Sequence, residues 1–143
     1  MPFDWSEYLT LAKSVQGDVS ATLAYKRTAI TRAYYATFHR AAVYAENCNR
    51  KKDQRLRGEH TAVQVWFKSQ RASVPHQDIG HRLANLHSLR KQCDYSDRDD
   101  LDLAKLLTYA INEADEICTF LNASVCPPVP PPLVQKPSRK LEG

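Results

Sequence analysis

The amino-acid sequence predicts an all-α protein, an up-and-down bundle of four to five helices with a disordered proline-rich C-terminal tail. Three observations carry this expectation. Chain breakers are scarce outside the tail: of 4 glycines and 8 prolines, six prolines (Pro127, Pro128, Pro130, Pro131, Pro132 and Pro137) lie beyond residue 126. The remaining chain cannot easily supply the turns of a sandwich or barrel. Apolar residues instead recur at helical spacing over several long segments. The composition, 43% hydrophobic and 25% charged, is that of a folded chain, and 143 residues fit one domain, here 1–126, followed by the tail 127–143.

Each element has its own signals. Asp4 followed by Glu7 resembles a capping box and opens a first helix reaching Gln16, where Gly17-Asp18 breaks it. Ser20 is placed to cap a second helix running to about Asn47. Its stripe is Leu23, Ile30, Tyr34, Phe38, Ala41 and Ala45, and its many alanines favour helix and allow close packing. A third helix over 59–69 turns Val63, Trp66 and Phe67 inward. Pro75 starts a fourth, with Ile79, Leu83, Leu86 and Cys93 as its stripe. Asp99 or Asp100 begins a fifth with Leu103, Leu106, Leu107, Ala110, Ala114, Ile117 and Leu121, and acidic residues there suit the helix dipole. The tail PPVPPPLVQKPSRKLEG reads as an extended, mobile terminus, with a short polyproline ligand as the lesser reading.

Several classes are excluded on the same grounds. No apolar run approaches the roughly 18–20 residues of a membrane span. The opening MPFDWSEYLTL has no basic start before an apolar stretch, so a cytoplasmic protein without membrane attachment is expected. Cys48, Cys93, Cys118 and Cys126 form neither a CxxC pair nor a dense framework and read as reduced thiols. The histidines His39, His60, His76, His81 and His87 complete no ligand spacing, so neither a metal nor a cofactor is expected. No phosphate-cradling glycine loop occurs, and Ser88 and Ser96 lack the surroundings of a hydrolase nucleophile. Tyr95 beside Asp94 reads as helping to close the bundle.

Net charge is +4, and its distribution is uneven. NRKKDQRLR holds Arg50, Lys51, Lys52, Arg55 and Arg57 against one acid, whereas DYSDRDDLD over 94–102 holds five aspartates against one arginine. Such asymmetry can steer a polyanion, or it can be two solvated loops. The most informative stretch is TRAYYATFHRAAVY. On a helix Arg32 and His39, seven apart, differ by about 20° in direction and about 10.5 Å in rise, with Tyr35 between them. A planar guanidinium suits phosphate, and an imidazole passes protons near neutral pH. They suit half of a phosphodiester-cleaving site that needs no metal, or a salt-bridging arginine and a packing histidine.

RAYYATFHRAA resembles the second-helix signature of HEPN domains, S/T-R-A-Y-Y-A-x-F-H. His60, Val63 and Phe67 are similar to the H-x-x-V-x-x-x-F helix that follows there; Leu86, Leu89 and Arg90 resemble L-x-x-L-R; Cys93-Asp94-Tyr95 stands where A-D-Y is frequent. The resemblance covers roughly 4–122. It implies a helical homodimer and, in many members, a metal-independent ribonuclease with an R-x(4–6)-H signature. Arg32 would then grip the scissile phosphate and His39 act as general acid or base. Tyr35 and the basic cluster Arg50, Lys51, Lys52, Arg55 and Arg57 would contact RNA. Such proteins occur in phage defence and as toxin or companion of a nucleotidyltransferase in toxin–antitoxin pairs. Ala33, where active members often carry Asn, Asp or His, and Ala41, where some carry Tyr, favour the alternative: a non-catalytic module binding RNA, nucleotide or a partner protein. A helical adaptor that meets only proteins, attached through the tail, is the blandest reading.

Overall fold

The computed structural model describes residues 3–49, 59–98 and 100–129. All regular structure among them is helical: α1 (Ser6–Gln16), α2 (Leu23–Cys48), α3 (His60–Lys68), α4 (Val74–Tyr95) and α5 (Leu103–Ala123). The expected tail lies outside the described residues beyond Val129.

Local chemistry sets the helix starts, some a few residues from where the sequence suggests. Asp4 still anchors α1, its Oδ1 accepting from the amide and hydroxyl of Ser6. Thr22, not Ser20, caps α2 by accepting from the Tyr25 amide, because Ser20 is held by Asp18. Ser73 caps α4, with Pro75 in its first turn, and Asp102 caps α5. A side-chain oxygen at such a position satisfies one orphan amide of the first turn.

The core is the union of the apolar stripes. Ile30, Tyr34, Phe38, Ala41 and Ala45 of α2 are buried with Val63, Phe67, Ile79, Leu83, Leu86, Leu107, Ile117 and Leu121. α2 is the central element and touches the other four helices. Its alanines Ala33, Ala41, Ala42 and Ala45 are fully enclosed, as are Ala12, Ala110 and Ala114 opposite. Small side chains on facing helices let the axes approach. Gly80 marks the tightest crossing, where a Cβ would stand 2.9 Å from the Lys68 amide nitrogen and 3.0 Å from the Gln64 carbonyl.

Three expectations are corrected. Strict up-and-down order does not hold. α3 runs parallel to α2, since Tyr34 meets His60 and, further along both helices, Tyr44 meets Phe67. Second, Cys48 and Cys126 are bonded, 78 residues apart, because α5 runs parallel to α2 and ends beside it. Only Cys93 and Cys118 are free thiols. Third, Leu23 and Tyr95 lie outside the core. Leu23 is the first residue of α2, and Tyr95 falls about 200° round the helix from buried Cys93.

The ends of the bundle are pinned by side chains. Arg27 of α2 donates to the carbonyls of Cys93, Ser96 and Arg98 at 2.8–3.0 Å, fastening the α4–α5 connection. At the opposite end the Tyr44 hydroxyl donates to the Val125 carbonyl at 2.6 Å and meets His76 Nε2 at 2.8 Å, while Ser73 Oγ lies against His76 Nδ1. Arg82 of α4 is paired with Glu113 and Glu116 of α5.

Candidate functional site

Arg32 and His39 share one half-buried face of α2, as their spacing requires, and that face lies under the start of α1. The Arg32 guanidinium stands 4.6 Å over the Tyr8 ring. The Trp5 ring lies nearly flat on His39, centroids 3.4 Å apart and planes 19° apart. Trp5 and Tyr8 are themselves 5.4 Å apart, and Phe3 touches both at 5.2 Å. An aromatic cluster therefore bridges the cation and the imidazole. Phe3 and Trp5 remain exposed, so the cluster presents ring faces to solvent.

Beside His39 a cleft of about 610 Å³ opens between α1, α2 and α5. Trp5, Leu9, Ala36 and Val43 supply apolar wall, and Arg40, Thr119 and Asn122 supply polar edges. Arg40 is held in place by donating to the Asn122 side-chain oxygen at 2.8 Å. Asp4 and Asp115 also line it, and its volume is in the range of a drug-sized ligand. Cys118 lines the same cleft, but burial pushes its thiol up to about 11, which removes it as a thiolate nucleophile at neutral pH.

Tyr35 leads from this face to a second cluster. Its ring is 6.3 Å from His39 and 6.0 Å from His60. His60 stacks on Phe38 at 4.1 Å and on His87 at 4.9 Å. The Tyr34 hydroxyl reaches His60 Nδ1 at 2.5 Å, and the Gln64 amide reaches His87 Nδ1 at 3.0 Å. Burial raises the Tyr34 phenol, so it keeps its proton and donates to the imidazole. His60 is lowered by burial and then by the charges of Arg90 and Lys91. His87 is lowered to about 4, first by burial, then by Lys91, His60 and Arg90. Both rings are thus neutral at pH 7. Arg90 lies over the Tyr34 and Tyr35 rings and pairs with Asp94 at 3.2 Å, and Asp94 also accepts from Thr31.

The sequence-selected residues divide accordingly. Arg32, His39 and Tyr35 are brought to one side of α2. Arg50, Lys51, Lys52, Arg55 and Arg57 lie outside the described residues. Ala33 and Ala41 are fully buried. The acidic stretch is partly structural: Asp94 serves Thr31 and Arg90, Asp100 pairs with Arg98, and Asp102 caps α5. Among the described residues no three His, Cys, Asp or Glu side chains gather as metal ligands, and no helix is long and apolar enough to cross a membrane.

Sequence reasoning missed the aromatic cover and the joining of Gln64 and His87 to the second cluster. Trp5 and Tyr8 were legible only as residues of a short amphipathic helix. Thr31, Tyr34, Tyr35, His60, Arg90 and Asp94, which carry the HEPN resemblance from four separate stretches, converge here. Compared with known proteins, the chain matches no family model, no curated protein and no solved structure.

Proposed function

We propose that this chain is a metal-independent endoribonuclease of HEPN type. Arg32 grips the scissile phosphate and His39 acts as general acid or base. The observation that supports this most is the pairing of Arg32 and His39 on one half-buried face, capped by an exposed aromatic cluster and flanked by a cleft of about 610 Å³. Stacking on aromatic rings is a sequence-tolerant means of holding single-stranded RNA. The 2′-hydroxyl attacks phosphorus as the base takes its proton; a P–O2′ bond forms, the P–O5′ bond breaks, and the leaving 5′-oxygen is protonated. The products are a cyclic phosphate and a 5′-hydroxyl. Two proton transfers suit two imidazoles, which a homodimer supplies by bringing two Arg32–His39 pairs into one cleft. In this reading the protein is cytoplasmic and serves phage defence or a toxin–antitoxin pair, with a nucleotidyltransferase as antitoxin partner.

The test is incubation of purified protein with labelled RNA, with and without EDTA. Cleavage should persist in EDTA, and Arg32→Ala and His39→Ala should each slow it by about 10²–10⁴ with the helical signal intact. An Arg32→Ala protein that cuts as fast as the parent removes this reading.

A second reading, a non-catalytic module that binds RNA, nucleotide or a partner protein, is favoured by one contact. Trp5 covers the His39 ring, as suits a stacking platform better than a proton-transfer site. RNA retained without being cut, with affinity falling steeply in salt as counterions are released, identifies it.

A further inference from the structure

The polar cluster between α2, α3 and α4 has the makings of a site of its own. The Tyr34 ring is its hub: His60 lies 5.6 Å from the ring centroid, His87 5.3 Å and the Arg90 guanidinium 5.6 Å. Three groups able to carry positive charge are thus gathered round one buried ring. Asp94 answers one side of Arg90 alone, and Glu59 is the other acid acting on His60. Lys91 adds a further positive charge from α4, and Tyr35 faces Arg90 from α2.

The hydrogen bonds decide which atoms remain to meet a ligand. Each imidazole accepts at Nδ1, from Tyr34 in one case and Gln64 in the other, so each neutral ring carries its proton on Nε2. Neither Nε2 is hydrogen-bonded among the described residues, and both rings are only half-buried. Arg90 differs: its residue is 9% exposed and its Nε is enclosed with no partner. A buried guanidinium donor without an acceptor is costly unless something else supplies one. Two unpartnered N–H donors, an under-satisfied arginine and a surplus of positive charge together match an oxyanion bearing several acceptor oxygens.

We propose that His60, His87 and Arg90 form a phosphate-binding site, separate from the Arg32–His39 face, that takes a phosphate anion, either free or as the terminal group of a nucleoside monophosphate. Binding an anion there favours the imidazolium forms. The imidazoles therefore hold their protons to higher pH in the complex than in the free protein. The site stands whether or not the chain cleaves RNA.

The test uses the full chain with its disulfide intact. Imidazole NMR signals are followed at about pH 6 while inorganic phosphate is added at constant ionic strength, with chloride as control and adenosine 5′-monophosphate as the second arm. The His60 and His87 signals should move together along one saturation curve with a Kd of order 1 mM. Exposed His81 should stay still. His87→Gln should weaken binding at least tenfold, with far-UV circular dichroism showing the helices retained. A nucleotide binding tenfold tighter than phosphate identifies the monophosphate as the ligand; equal affinity identifies free phosphate. The proposal is overturned if His60 and His87 do not respond, or respond equally to chloride. It is also overturned if His39 alone moves, an outcome that locates phosphate at the proposed ribonuclease face and leaves that reading standing.

Discussion

Reducing the Cys48–Cys126 bond should cost this protein several kcal/mol without dissolving its fold. The bond closes a loop of 78 residues that takes in α3, α4 and α5. On the chain-entropy argument, a cross-link over that length removes about 4.5 kcal/mol of freedom from the unfolded chain, and measured losses for native bonds run at ~2–5 kcal/mol. The native contacts at the same place survive reduction: Tyr44 still holds the Val125 carbonyl and His76. Reduced protein should therefore keep its helical signal in water and fail earlier in denaturant. With a urea dependence of ~1–3 kcal/mol per molar, the midpoint should fall by about 0.7–5 M. The assay is paired urea titrations followed by circular dichroism, with and without a phosphine reductant, and Cys126→Ser as a second route to the same state. Midpoints agreeing within about 0.2 M would refute the reasoning. So would alkylation of both thiols in protein that has met no reductant. Such bonds persist in oxidising surroundings and are rare in the cytosol, so the same experiment bears on where the protein works.

Other perturbations follow from the packing. His87, held at about 4 against an unfolded value of 6.5, favours the fold only while neutral. Its contribution is complete above pH 6.5 and is lost as pH falls towards 4. At full strength this is ~3 kcal/mol, and the half-exposed ring reduces it to ~1–2. Urea titrations across that range should show the slope, and His87→Gln should flatten it; an unchanged slope counts against the assignment. Gly80→Ala gains about 1 kcal/mol of helix propensity but drives a methyl into the α3 backbone, for a net loss of ~1–2 kcal/mol. A thermal melt no lower than the parent's would contradict the tight crossing. Arg27→Ala removes three bonds to carbonyls at once and should cost ~2–3 kcal/mol. Arg27→Lys should recover little of this, because an ammonium lacks the fork; full recovery would show that charge alone matters.

Much of the helical scaffold is legible in one dimension. Five helices follow from apolar spacing, because a period of 3.6 residues is a local property of the chain. The seven-residue interval between Arg32 and His39 likewise places them on one face before any coordinates exist. Helix starts were less secure: Ser20 and Thr22 are both competent caps, and the neighbouring Asp18 decided between them by taking Ser20 for itself.

What the tertiary structure alone decided concerns groups far apart in the chain. Nothing local to Cys48 or Cys126 announces their bond, since a 78-residue separation is closed only when α5 comes to lie parallel to α2. Trp5 on His39, and His60 beside His87 around Tyr34, arise the same way, from which helix packs on which and in what direction. Periodicity tells a helix which face to bury. It carries no information about the neighbour that will cover that face, and here the chemistry resides in those neighbours.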